Sequence, residues 1–150
     1  HPTKKCTCST KKVVDYQQRI SGPLLDRFDL HIEVAPAEYK ELSSSRKEES
    51  SEAVRIRVAN ARRIQSERFK GTGITCNALI TDSKLREFCP MDDEASAALD
   101  RLFRALSHSA RAYSRILKTA RTIADLDNSE LIKKQHITEA AQYRIDEEQN

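Results

Sequence analysis

Apolar residues recur at helical spacing through most of the chain after residue 51, and this pattern most limits the possible folds. From about residue 51 to 69 the spacing places one apolar row on one side of a helix: Val54, Val58, Ala61 and Ile64. From about residue 109 to 127 a longer stripe recurs in the same way: Tyr113, Ile116, Leu117, Ala120, Ile123 and Ala124. The pattern predicts a mainly α protein, with four or five helices packed as a bundle over residues 52–150.

Three further helices complete this bundle. A short helix is expected after Thr81 and Asp82, which suit an N-cap, and another from about residue 92 to 106 begins with two aspartates at the positive end of its dipole. A final helix is expected from about residue 134 to 147.

Strand-like alternation is confined to residues 29–34. Leu30, Ile32 and Val34 would share one face, which predicts a strand whose pairing partners lie outside this sequence. Before it, residues 1–15 are basic and turn-like, and a helical turn is expected over residues 16–20. After it, residues 35–51 are polar and Ser-rich, which is typical of a linker and suggests a domain boundary.

Composition excludes several classes of protein. No apolar stretch reaches the roughly 18 residues that span a bilayer, and the N-terminus has no signal-peptide core, so we expect no membrane partner and a cytoplasmic location. The net charge of +3 is too small to imply nucleic acid by itself. The chain begins without Met in a polar stretch, and we interpret it as a fragment of a longer polypeptide.

Arg27 is the first candidate functional residue, because it lies on a short apolar turn immediately before the expected strand. An arginine held there offers a planar, permanently charged fork to phosphate oxygens. The alternative is a surface ion pair with Asp26 or Asp29.

Arg111 is the second candidate, near the start of the helix expected over residues 109–127. Residues 101–124 contain six Lys or Arg and no Asp or Glu, which favours contact with a polyphosphate. Arg111, Arg115 and Lys118 are expected on the side of the helix opposite its apolar stripe, and the alternative is a simple solvated face.

The segments 19–34 and 106–126, with residues 137–144 and Cys6-Thr7-Cys8, together resemble the C-terminal portion of magnesium-chelatase-like AAA+ ATPases, in their competence-protein branch. The resemblance implies a core-domain remnant at residues 1–34, a linker at 35–51 and a helical lid domain at 52–150. It implies a ring, expected to be a hexamer, in which Arg27 is the arginine finger acting in the neighbouring subunit and Arg111 is the sensor-2 residue. The implied work is ATP-driven remodelling of DNA, such as unwinding or branch migration.

The sequence departs from the family pattern at the nucleotide site. It contains no G-x-x-x-x-G-K-[ST] loop and no apolar strand ending in paired acids for Mg²⁺. We therefore expect ATP and Mg²⁺ to act in the intact protein, and this piece neither to bind them tightly nor to hydrolyse ATP alone. Two alternatives stay open: a non-enzymatic helical module that binds nucleic acid, and a fragment of a chelatase motor that drives metal insertion.

Other candidate residues are weaker. Cys6 and Cys8 have the spacing of half a zinc site, although free thiols are the simpler interpretation. Arg62 and Arg63 belong to an arginine-rich helix that could contact DNA phosphates or only water. His31 and His136 are expected to be surface or capping residues.

Overall fold

The computed structural model describes residues 6–25, 27–32, 34, 49–105 and 110–144. Its contacts divide the chain into two compact units, His1–Glu48 and Glu49–Asn150. Within the described ranges seven α-helices form and no sheet does, so the prediction of a mainly α protein is confirmed.

Two short helices form in the described part of the first unit: α1, Thr10–Gln17, and α2, Gly22–Leu25. Residues 6–9 are irregular or bend, as expected, and residues 1–5 lie outside the described residues. The expectation of turns over residues 10–15 and of a helical turn over residues 16–20 is wrong, because the helix forms earlier and closes at Gln18. Pro23 does not break α2, since a proline in the first turn of a helix loses no intrahelical hydrogen bond.

The strand expected over residues 29–34 is not formed in the described part of that segment, where residues 29–32 and 34 are bend or irregular. A strand requires a hydrogen-bonded neighbour, and the described residues supply none here. Leu30, Ile32 and Val34 are 49%, 68% and 83% exposed, so the apolar face that the alternation indicated has no cover among the described residues.

Over residues 49–105 and 110–144 the second unit forms five helices: α3, Ser51–Arg68; α4, Leu85–Phe88; α5, Asp93–Ala105; α6, Ala110–Leu126; and α7, Lys134–Gln142. Two 3₁₀ turns, Asn77–Leu79 and Asp82–Lys84, precede α4. The expected linker 35–51 lies outside the described residues except for its end, where the Ser50 hydroxyl accepts a hydrogen bond from the Ala53 N–H and begins α3. Residues 106–109 and 145–147, at the expected ends of α5, α6 and α7, also lie outside them.

The core of this unit lies between α6, α7 and the segments that pack on them. The expected stripe of α6 is confirmed: Ile116, Leu117, Ala120 and Ala124 are buried, and Tyr113 and Ile123 pack against the core. On α3 only the C-terminal half is covered, since Ala61 is buried whereas Val54 and Val58 are 39% and 48% exposed.

Local features of the chain define where these helices begin and end. Gly71 and Gly73 turn the chain after α3 with φ of 77° and 76°, a region that L side chains avoid. Asp92 begins α5, because its Oδ1 accepts a hydrogen bond from the Ala95 N–H at 2.7 Å. Met91 and Ile132 form a parallel bridge that joins the start of α5 to the chain before α7.

Candidate functional site

Arg27 lies on a backbone turn that closes α2. The Arg27 N–H donates to the Leu24 carbonyl at 2.9 Å, and the Phe28 N–H donates to the Leu25 carbonyl at 2.9 Å. The Arg27 side chain is exposed, and within the described ranges its guanidinium has no hydrogen bond or ion pair. The turn therefore holds the Arg27 backbone in place while its charged group stays available to an anion.

Arg111 is the second residue of α6, and its side chain is exposed. The first N–H groups of a helix and its dipole create positive potential at this end, which adds to the charge of the guanidinium. Further along the helix, Arg115 and Lys118 are half-buried rather than fully solvated, and the Lys118 Nζ donates to the Ala78 carbonyl at 3.3 Å. The 3₁₀ turn at Asn77–Leu79 covers this part of α6.

A buried ionic cluster is centred on Asp125, near the end of α6. Arg68, at the end of α3, donates to both oxygens of this carboxylate, and Arg121 donates to Oδ1 from one helical turn earlier at 3.1 Å. Asn77 donates its amide to Asp125 Oδ2 at 2.8 Å, and its own amide oxygen accepts from Arg68 at 3.1 Å. The cluster thus joins α3, the first 3₁₀ turn and α6.

Arg121 is fully buried, and its guanidinium donates hydrogen bonds to groups inside the protein. Its two terminal nitrogens donate to the carbonyls of Ser129 and Glu130 at 2.6 and 2.7 Å. Burial lowers the pKa of Arg121, which the neighbouring Asp125 opposes. Burial likewise raises the pKa of the nearby Cys89 thiol to about 11, and Arg121 opposes this shift.

The sequence offered only a weak signal for this cluster. Arg121 and Asp125 are spaced i, i+4 and follow Leu117 along the buried row of α6, which marks a charged pair that faces the core. Arg68, in contrast, looks from the sequence like one more member of the basic stripe of α3, and its partner is 57 residues away.

The cations of α3 fall into two groups. Arg55 pairs with Glu52, Arg57 pairs with Glu49 and Arg68 is committed to Asp125. Arg62 and Arg63 are exposed, and in the described part of the chain neither has a carboxylate within ion-pair distance. The uncompensated charge of the helix is thus concentrated on these two neighbouring residues.

Cys6 and Cys8 are both exposed, and a single residue separates them in the sequence. Hydrogen bonds from the backbone and thiol of Cys8 lower the pKa of Cys6, and the same thiol contact raises the pKa of Cys8. Over the described ranges no third histidine, cysteine or carboxylate joins them in a group that could hold a metal ion.

Each of the two histidine candidates contacts the backbone near the end of a helix. His136 caps the start of α7, as expected, because its Nδ1 accepts from the Lys133 N–H at 3.0 Å. It is buried rather than on the surface, and its Nε2 lies 3.1 Å from Asp127 Oδ2. The Nε2 of His31 lies 3.3 Å from the Leu25 carbonyl, at the turn that carries Arg27.

Comparison with known families gives two adjacent matches. Residues 48–144 match the family described as magnesium chelatase, subunit ChlI C-terminal, and residues 1–42 match the one described as magnesium chelatase, subunit ChlI. The chain belongs to the magnesium-chelatase-like family. The resemblance drawn from segments 19–34 and 106–126 is thereby confirmed, and α3 to α7 constitute the C-terminal helical domain of this family.

The chain is also similar to curated relatives that are considerably longer than it is. It is 39% identical over 138 residues to the uncharacterized protein YifB of Escherichia coli, and 38% identical over 137 residues to the competence protein ComM of Haemophilus influenzae. Each match covers 91% of this chain but 26% of the relative, so the chain spans about a quarter of their length. No helix in the described residues is long and apolar enough to cross a membrane.

Proposed function

We propose that this chain is the C-terminal lid region, with a remnant of the core domain, of a ring-forming AAA+ ATPase, and that it supplies two arginines for ATP hydrolysis. The observation that carries the proposal is the state of Arg27, an exposed guanidinium on a turn fixed by backbone hydrogen bonds. Among the described residues no carboxylate forms an ion pair with it, which supports the proposal against an ion pair with Asp29, while Asp26 lies outside the described residues.

The chain's own residues fit only part of a nucleotide site. Its sequence lacks the G-x-x-x-x-G-K-[ST] loop that cradles phosphates, and in the described ranges no cluster of three metal-ligating side chains exists. The exposed guanidinium groups of Arg27 and Arg111 do fit phosphate oxygens. In the intact protein ATP and Mg²⁺ would thus be held by residues outside this chain, which by itself would not hydrolyse ATP.

The two arginines would have different roles in ATP hydrolysis. Arg27, projecting into the site of a neighbouring subunit of the ring, would stabilise the negative charge that develops on the transferred phosphoryl oxygens. Arg111, at the positive end of α6, would contact the phosphates of the nucleotide bound by its own subunit. Loss of Arg27 should therefore lower turnover far more than affinity, whereas loss of Arg111 should lower both.

Turnover and nucleotide affinity of the intact parent protein test these roles. Arg27→Ala should reduce turnover by a factor on the order of 10³ and leave the nucleotide dissociation constant nearly unchanged. Arg19→Ala is the matched control, because Arg19 is an exposed arginine of the same unit whose guanidinium lies over the Tyr16 ring. Equal turnover in the two variants would contradict the proposal and leave the chain better explained as a module without an enzymatic role.

DNA is the substrate that we propose for the remodelling, by unwinding or branch migration. Two observations support it: one of the relatives is a competence protein, and Arg62 and Arg63 form an uncompensated basic pair on the exposed side of α3. Such a pair suits the phosphates of a nucleic acid backbone.

The salt dependence of DNA binding tests this part of the proposal. Each phosphate contact to a duplex contributes roughly −0.9 to the slope of log affinity against log salt concentration, so Arg62→Gln with Arg63→Gln should reduce that slope by about 2. The matched control is Arg55→Gln with Arg57→Gln, since both of those arginines already have carboxylate partners on or beside the same helix. A slope reduced equally by both pairs would contradict a specific role for Arg62 and Arg63.

A further inference from the structure

Phe103 and Tyr113 form an aromatic contact that joins the C-terminal end of α5 to the first turn of α6. Their ring centroids are 6.0 Å apart and their ring planes meet at 89°, which is the edge-to-face geometry that aromatic pairs favour. Both side chains are half-buried, and Tyr113 packs against the core. The contact therefore holds the start of α6, the helix that carries Arg111, against α5.

The place of this contact along α6 makes it important for the start of the helix. In the described part of the chain, α5 and α6 each pack more extensively on α7 than on each other. The buried ionic cluster of Arg121 and Asp125 lies toward the other end of α6 and joins that end to α3 and the first 3₁₀ turn. The contact between the two rings thus helps to fix the end of α6 that lies opposite the cluster.

Arg111 and Tyr113 lie on different sides of the same helical turn. Each residue of an α-helix is rotated by about 100° from the one before it, so side chains two positions apart point in nearly opposite directions. Tyr113 accordingly packs against the core, whereas Arg111 is exposed. A rotation or shift of this turn that moves the Tyr113 ring would therefore move the Arg111 guanidinium as well.

We propose that Phe103 is a positioning residue for Arg111: its ring, through Tyr113, holds the first turn of α6 in the orientation in which Arg111 reaches the nucleotide phosphates. The inference rests on the proposed function, because it requires that Arg111 contacts those phosphates. A misplaced guanidinium loses charge-assisted hydrogen bonds, since these depend on distance and direction. Loss of the Phe103 ring should therefore cause part of the effect of losing Arg111.

A double-mutant cycle on nucleotide binding by the intact parent protein tests the proposal, with a fluorescent ATP analogue as the probe. Phe103→Leu should raise the dissociation constant by about 3- to 10-fold, the range expected for the loss of one edge-to-face aromatic contact. Phe103→Tyr keeps the ring and should bind the analogue as the wild type does. Added to Arg111→Ala, Phe103→Leu should weaken binding no further, because the residue through which it acts is absent.

Phe88→Leu is the matched control for a loss of packing. Phe88 forms the same kind of contact with Phe69, with ring centroids 5.1 Å apart and planes at 70°, and neither residue belongs to the helix that carries Arg111. Phe88 is buried in the core, so Phe88→Leu should lose at least as much thermal stability as Phe103→Leu. Its affinity for the ATP analogue should nevertheless equal that of the wild type.

The outcomes separate this proposal from the proposed function. If Arg111→Ala weakens binding while Phe103→Leu does not, or if Phe103→Leu has its full effect when added to Arg111→Ala, the positioning role of Phe103 is overturned and the role of Arg111 stands. Equal weakening by Phe88→Leu and Phe103→Leu would likewise overturn the positioning role. Wild-type affinity in Arg111→Ala would instead contradict the proposed role of Arg111, and the inference about Phe103 with it.

Discussion

Arg68 at the end of α3 donates two hydrogen bonds to the Asp125 carboxylate near the end of α6, across 57 residues of sequence. Asp125 is fully buried and also accepts hydrogen bonds from Arg121 and Asn77. One carboxylate therefore offsets two arginines and fixes the helix that carries Arg111 to the helix that carries Arg62 and Arg63.

Asp125→Asn tests the energetic role of this cluster. It keeps the shape of the side chain but leaves the buried Arg121 without a counter-charge, which should reduce the free energy of unfolding by about 3–5 kcal/mol. Urea unfolding followed by helical circular dichroism measures the effect. Asp100→Asn is the control, because its partner Arg104 is exposed on the same helix, and it should change the free energy by less than about 0.5 kcal/mol. Equal midpoints for the two variants would contradict the interpretation.

The raised pKa of the buried Cys89 thiol predicts that the folded protein loses stability at alkaline pH. Its pKa rises from 9.0 when unfolded to about 11 in the folded protein, so between these values the unfolded chain loses a proton that the folded chain keeps. The stabilising contribution is complete below pH 9 and is lost as the pH rises toward 11, to a total on the order of 3 kcal/mol. Urea midpoints measured from pH 8 to 11 should fall more steeply for the wild type than for Cys89→Ala. Parallel profiles would show that Cys89 ionises equally in both states.

Asn128 ends α6 in the left-handed conformation, with a φ of 53°. The Ser129 N–H donates to the Ala124 carbonyl and the Asn128 N–H to the Asp125 carbonyl, the hydrogen-bond pattern of a Schellman motif. Asn128→Ala should reduce the free energy of unfolding by about 1 kcal/mol, whereas Asn128→Gly should cause no loss. Thermal unfolding of both variants measures the difference. A stability order with Ala above Gly would contradict a conformational role for this position.

Helices whose apolar residues recur with a regular period could be predicted from the sequence. Elements that need a partner distant in the sequence could not. The helix expected over residues 109–127 forms as Ala110–Leu126 with its stripe buried, because a period of 3.6 residues reports directly which side faces the core. Alternation over residues 29–34 reports an apolar face in the same way, but a strand also needs a neighbour, and the described residues provide none.

The residues of the candidate site also divide into those that local sequence identifies and those that only the fold identifies. Arg27 and Arg111 are identifiable from local sequence, because a turn and a helix start define their positions. Arg68 and Arg121 are not, since an arginine within a basic stripe has the same local pattern whether it faces water or a buried carboxylate. Only the fold brings Asp125 to Arg68, and this pairs Arg68 inside the protein rather than leaving it on the basic surface of α3.

Turnover by a mixture of two variants of the intact parent protein tests the central claim most directly. Arg27→Ala and Arg111→Ala should each lower ATP turnover by a factor on the order of 10³ when assayed alone. In an equimolar mixture that forms random rings, about a quarter of the sites receive Arg27 from one subunit and Arg111 from its neighbour, so turnover should recover to about a quarter of the wild-type value. A mixture no more active than the single variants, or single variants that hydrolyse ATP normally, would contradict the claim that Arg27 acts across a subunit boundary.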